Sequence, residues 1–154
     1  MDGREIYLAG GCFWGTEAYL GKLPGVLETE VGYANSRMAD PSYEDVCWGD
    51  TNAVECVRVR YDASVIPLPL LLDAYLRTID PTSVNRQGND RGSQYRTGIY
   101  WTNEADAPVV REKRAALERQ IGSPVAIEVM SLESFYPAEP HHQKYLQKNP
   151  MGYC

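Results

Sequence analysis

Residues 4–34, Arg-Glu-Ile-Tyr-Leu-Ala-Gly-Gly-Cys-Phe-Trp-Gly-Thr-Glu-Ala-Tyr-Leu-Gly-Lys-Leu-Pro-Gly-Val-Leu-Glu-Thr-Glu-Val-Gly-Tyr-Ala, decide the fold class. Residues 4–9 read as a short strand, and Gly10-Gly11 breaks it. From Cys12 to Leu23 the pattern turns helical, with Tyr19, Leu20 and Leu23 at helical spacing, and Pro24-Gly25 stops it. Residues 26–34 alternate, with Leu27, Thr29, Val31 and Tyr33 on one face and Glu28 and Glu30 on the other. A strand, a helix and a second strand are thus expected within some thirty residues.

Working outward, residues 54–61 give the clearest strand: Glu55, Val57, Val59 and Tyr61 share one face and Arg58 and Arg60 the other. Residues 67–79 read as a helix with Leu68, Leu72, Tyr75, Leu76 and Ile79 on one stripe. Strands are expected over 95–101 and 125–131, a helix over 104–120, and a short helix near 141–148. Two polar stretches, 35–53 and 80–94, read as long loops of the kind that carries function. The order β-α-β-β-α-β, followed by α-β, predicts an α+β fold: a two-layer α/β sandwich with a ferredoxin-like β-α-β-β-α-β core. The 154 residues fit one domain, with a mobile tail expected over about 149–154.

A formal net charge of -6 argues against a nucleic-acid or anionic-membrane binder, since phosphates are held mainly by Lys and Arg. There is no signal-peptide pattern and no run of about 20 apolar residues. A cytoplasmic monomer is the expectation. Four cysteines, Cys12, Cys47, Cys56 and Cys154, are too few for a disulfide scaffold of this length. No C-x-x-C or H-x-x-x-H occurs, and the adjacent His141 and His142 point apart on a helix, so no metal site is expected. Serine-hydrolase and nucleotide-binding signatures are absent as well.

Four places can carry chemistry. Cys12 follows two glycines and opens a helix, where backbone N–H groups and the helix dipole favour the nucleophilic thiolate. An inert core Cys is the plainer alternative. Phe13 and Trp14 can line an apolar slot beside the thiol, or can be ordinary core. Glu55 lies on the apolar face of its strand; a partly buried carboxyl there is disposed to keep its proton and act as a general acid. An exposed strand-end Glu is the competing reading. Asp90 and Tyr95, in the polar stretch 87–96, and Tyr43, in the other loop, can orient a polar substrate group or merely decorate solvated turns. Cys154, after a Pro- and Gly-bearing run, can reach an oxidised Cys12 or be incidental. Two other functional classes fit some of these features: a Cys-His acyl-transfer enzyme pairing Cys12 with His142, and a non-catalytic α+β binding module.

Together these segments resemble the peptide methionine sulfoxide reductase A family. The matching stretches include Gly11-Cys12-Phe13-Trp14-Gly15-Thr16-Glu17, Leu23-Pro24-Gly25-Val26, Pro41-Ser42-Tyr43, Gly49-Asp50-Thr51, Arg86-Gln87-Gly88-Asn89-Asp90, Gln94-Tyr95-Arg96, Phe135-Tyr136-Pro137-Ala138-Glu139 and His142-Gln143. The resemblance implies a reductase of methionine-S-sulfoxide, in proteins and as the free amino acid. In that reading Cys12 attacks the sulfoxide sulfur, and Phe13 and Trp14 line the methyl slot. Glu55, Tyr43 and Tyr95 donate to the oxygen, and Asp90 fixes substrate or water. Cys154 resolves the Cys12 sulfenic acid as a disulfide, which thioredoxin or a small dithiol reduces. No cofactor is implied. The sequence departs from the family pattern at Asn52-Ala53-Val54, where Gly-His-Ala is frequent before the acidic residue, and at Cys56, which is read as structural.

Overall fold

A computed structural model describes residues 3–11, 13–36, 41–48, 53–83, 86–87, 90–91 and 93–144. Strand β1 covers Gly3–Ala9, helix α1 Phe13–Leu20 and β2 Val26–Ala34. A short helix α2, Tyr43–Trp48, precedes β3, Val54–Asp62, and α3, Leu68–Leu76. The pair β4, Arg86–Gln87, and β5, Asp90–Arg91, leads into β6, Gly98–Trp101, and α4, Ala107–Ile121. Strands β7, Glu128–Ser131, and β8, Phe135–Pro137, follow, then a 3-10 turn at Pro140–His142.

Among the described residues, six strands form one mixed sheet in the order β7-β6-β1-β3-β2-β8. The central four, β6, β1, β3 and β2, pair antiparallel with one another, while β7 runs parallel to β6. The fold is α+β, consistent with a ferredoxin-like core. Alternation places Ile6, Leu8, Val31, Tyr33, Val57, Val59 and Tyr61 in the main core with Leu71, Leu72 and Tyr75 of α3 and Phe13 and Leu20 of α1. On the opposite sheet face, Tyr7, Ala9, Ala34, Val54, Cys56 and Tyr100 form a second cluster, against which Met130, Leu132 and Phe135 pack. Farther along that face Arg58 ties three strands together, bonding Glu5 at 2.7 Å, Glu30 at 3.1 Å, and Glu28.

Several expectations from the sequence need correction. Leu27 does not share the buried face of β2. The register slips between Val26 and Glu28, a bulge, and Leu27 is left exposed. Helix α1 ends at Leu20, and Leu23 packs on the core from the following turn. The strand expected from residue 95 begins at Gly98, because Ser93–Tyr95 is a 3-10 turn. The strand expected from 125 begins at Glu128. The two long loops contain α2 and the β4–β5 pair. The turn-rich run before 140 contains β8, an edge strand paired with Gly32, Tyr33 and Ala34. Of the helix expected near 141–148, the described part is the 3-10 turn ending at His142, and the remainder beyond residue 144 lies outside the described residues.

The β2–β8 contact is close enough to demand glycine. A Cβ on Gly32 would come within 2.6 Å of the Tyr136 carbonyl oxygen and would overlap the Phe135 ring. The backbone oxygen cannot yield without disturbing the ladder. Gly32→Ala is therefore expected to lower stability by about 1–3 kcal/mol, the range for overpacking. The check is urea unfolding, where the midpoint should fall.

Candidate active site

The turn before α1 is fixed from several sides. Gly11 has φ +84°, in the left-handed region, and a Cβ there would meet Gln87 Cβ at 2.8 Å. Both features require glycine. Gln87 is itself held, its amide exchanging hydrogen bonds with the Asp80 N–H at 2.8 Å and the Asp80 carbonyl at 2.9 Å. The Thr16 hydroxyl donates to the Gly10 carbonyl at 3.2 Å, bracing the turn from within the helix. The Gln87 side chain of β4 thus lies against the residue preceding position 12. Cys12 itself lies outside the described residues.

Glu55 arrives from the sheet. It is the second residue of β3, opposite Tyr33 of β2, and only 1% exposed. The backbone N–H of Phe13 donates to its Oε1 at 3.3 Å. The carboxyl predicted to face the core is therefore buried, and it sits at the helix start next to position 12.

Phe13 and Trp14 diverge from that start. Phe13 is buried, its ring 5.7 Å from that of Tyr33 and 5.4 Å from the imidazole of His142. Trp14 stacks on His142 at 5.6 Å, and its indole N–H donates to His142 Nδ1 at 3.0 Å. The ring of Tyr43, the first residue of α2, lies 4.8 Å from the same imidazole. His142 is thus the hub of an aromatic cluster of Phe13, Trp14 and Tyr43. The sequence offers it as a base for Cys12 and argues against it, beside His141, as a metal ligand. Its Nδ1 instead accepts from the indole, and three aromatic rings surround it, which is the geometry of a positioned side chain.

The remaining candidates fall as follows. Tyr95 ends the 3-10 turn at Ser93–Tyr95, which packs against β3, and is half-buried. Asp90 begins β5 and its backbone pairs with Gln87, while its side chain is outside the described residues, as is that of Cys47 in α2. Cys154 also lies outside the described residues. Cys56 is fully buried in the second cluster, and burial pushes its thiol well above the usual range. Among the described residues no group of three or more His, Cys, Asp or Glu side chains is arranged to hold a metal ion.

The family model for peptide methionine sulfoxide reductase matches residues 4–154. The chain belongs to the peptide methionine sulfoxide reductase family. Over 151 residues it is 52% identical to the peptide methionine sulfoxide reductase MsrA of Lachnoclostridium phytofermentans, covering 98% of this chain and 91% of that one. The crystal structure of Mxr1 from Saccharomyces cerevisiae in reduced form superposes with a TM-score of 0.92 at 38% identity, covering 99% of this chain and 88% of the yeast one. Mxr1 in complex with Trx2 also aligns, with a TM-score of 0.66 at 25% identity, covering 93% of this chain and 84% of that one. This reductase is accordingly an oxidoreductase that works through a catalytic cysteine, and the binding-module and acyl-transfer readings are set aside.

One acidic group behind the cluster was missed by sequence reasoning, although Glu139 stands inside a stretch that matched the family. Burial would raise its carboxyl. Hydrogen bonds from the backbone N–H of Tyr43, its own N–H and the Tyr33 hydroxyl, aided by His142, outweigh burial and hold it below the usual carboxylate range. A folded-state value below the unfolded one gives stability that is present above the unfolded pKa and lost as pH falls through the folded pKa. The melting temperatures of the parent and Glu139→Gln are therefore expected to differ most near neutral pH and to converge as acidification carries the carboxyl through its lowered folded-state pKa, as thermal melts from neutral to acidic pH will show.

Proposed function

We propose that this chain is a thioredoxin-dependent peptide-methionine (S)-S-oxide reductase in which Cys12 is the nucleophile and Glu55 the proton donor. The observation that carries this reading is the placement of Glu55: a core-facing carboxyl bonded to the amide of the residue after Cys12. A sulfoxide sulfur is a poor electrophile until its oxygen is protonated or hydrogen-bonded. A carboxyl removed from water is disposed to hold the proton that this step needs. The start of α1 supplies backbone N–H groups that favour a thiolate at position 12.

The steps balance as follows. The Cys12 thiolate attacks the sulfoxide sulfur while the oxygen takes a proton, with Glu55 as donor and Tyr43 and Tyr95 as further hydrogen-bond donors. Oxygen passes to Cys12 as a sulfenic acid, and methionine leaves as the thioether. Phe13 and Trp14, the latter held by His142, form the apolar slot for the substrate methyl group. Asp90 orients substrate or water. The Cys154 thiol then condenses with the sulfenic acid, releasing water and forming a disulfide. Two thiols of thioredoxin, or of a small dithiol, reduce that disulfide. The yeast relative in complex with Trx2 supports thioredoxin as the reductant class. Cys56 takes no part, because a buried thiol pushed up by burial is a poor nucleophile.

The same reading treats residues 1–154 as one domain whose final residues, about 149–154, bring Cys154 to the site. It takes β1, α1, β2, β3, α3 and β6 as a ferredoxin-like core in a two-layer sandwich. The β6-β1-β3-β2 order and the antiparallel pairing support this.

Mass spectrometry after one equivalent of methionine sulfoxide is expected to show a Cys12–Cys154 disulfide. Cys12→Ser should form no methionine; turnover in that variant would reject Cys12 as nucleophile. Glu55→Gln should slow single-turnover reduction by about 10²–10⁴-fold, the range for a general acid. Cys154→Ser should complete one turnover and then fail to recycle with thioredoxin; normal recycling would move the resolving role to Cys47.

A further inference from the structure

Glu139 stands where β8 gives way to the 3-10 turn ending at His142, and its two carboxylate oxygens reach different elements. Oε1 accepts from the hydroxyl of Tyr33 at 2.9 Å, and Oε2 accepts from the backbone N–H of Tyr43 at 3.0 Å. Tyr33 is the β2 residue directly opposite Glu55, and it is fully buried. Tyr43 opens α2. One side chain therefore spans from the strand beside the acid to the helix that carries the tyrosine.

Helix α2 has six residues and little stability of its own. Its N-terminus is closed locally: the Ser42 N–H donates to Asp45 Oδ2 at 3.0 Å, and the Asp45 N–H to Ser42 Oγ at 3.1 Å. That reciprocal pair shapes the turn but makes no link to the sheet. Glu139 makes the link, and its own segment is bonded to β2 as well, with the Ala138 N–H donating to the Val31 carbonyl at 2.9 Å and the Gln143 amide donating to the same oxygen at 2.8 Å. A carboxylate suits this position because it accepts two donors in different directions and has no donor of its own to misplace.

We propose that Glu139 is a positioning residue for the reduction, its carboxylate fixing Tyr43 relative to Glu55 so that both donors meet at one sulfoxide oxygen. This rests on the reading of Tyr43 and Glu55 as donors to that oxygen. Loss of the bracket leaves the thiol and the acid intact and displaces the tyrosine. Displacement on the order of 1 Å costs on the order of 10²-fold in a positioned reaction.

The test uses the full chain with free methionine sulfoxide, in single turnover and in steady state with dithiothreitol. Glu139→Ala is expected to lower the single-turnover rate on the order of 10- to 100-fold, with KM changed less than about threefold. Glu139→Gln keeps an oxygen for the Tyr43 N–H and can turn its NH2 toward the Tyr33 hydroxyl, so it should recover most of the loss. Combining Glu139→Ala with Tyr43→Phe should cost little beyond Tyr43→Phe alone, the non-additivity of residues acting through one another. The alkylation rate of Cys12 should stay within about twofold of the parent. If Glu139→Ala does not fold, Glu139→Met keeps the bulk without the acceptors and carries the same expectations. A Glu139→Ala rate within about twofold of the parent, or losses that simply multiply in the double variant, overturns the proposal. Undiminished turnover by Tyr43→Phe instead removes the donor reading beneath it.

Discussion

A single buried contact, the backbone N–H of Phe13 donating to Glu55, joins the two halves of the site. It links the first residue of α1 to the second residue of β3, 42 positions apart in the chain. At 3.3 Å it is a long bond, and its worth is more geometric than energetic. Strand β3 pairs with β2 at Glu55 itself, opposite Tyr33, and with β1 from Val57 onward, which anchors the start of the strand. The helix start is equally constrained by the left-handed Gly11 and the Gln87 side chain against it. Two rigid elements thus meet at one carboxyl, which bonds the residue that follows position 12 in the sequence. If the bond were lost, the carboxyl would stay buried and would have to replace that donor or remain under-satisfied, the costly outcome for a polar group.

The aromatic cluster around this junction is assembled from distant parts of the chain. Trp14 comes from α1, Tyr43 from α2, and His142 from the turn after β8. The His142 imidazole works on both sides, taking the indole N–H and offering its faces to three rings. In the proposed reading the aromatic faces meet the substrate methyl group and the hydrogen-bonding groups at their edges orient the rest.

Elements with a strong local period were legible before any coordinates. The alternation of Val57, Val59 and Tyr61 gave β3 and placed Glu55 on the covered face, because one face of that strand is wholly core. Leu27 was misplaced because a bulge, which has no signature in a hydrophobic pattern, shifted the register at that point. Helix α2 and strand β8 were hidden for a related reason. Six residues and three residues are too short to show a period, and β8 includes a proline. Both are held by partners far away, Glu139 lying 96 residues from Tyr43. The cysteine, the acid and the aromatic pair could be named from the sequence. The bracket behind them could not, since it is made of contacts that exist only after the chain has closed on itself.

Cys56 follows Glu55 directly and faces the other way, opposite Gly32 in the β2–β3 ladder and shut into the second apolar cluster. One step along a strand therefore separates a carboxyl facing the start of α1 from a sulfur sealed against chemistry. A soluble alkylating reagent would pass over that sulfur for as long as β3 stays paired on both flanks. Its modification would mark the moment the middle of the sheet comes apart. The chain thus carries its own tamper seal, a thiol whose rate of capture gauges opening of the central strand without any label being added.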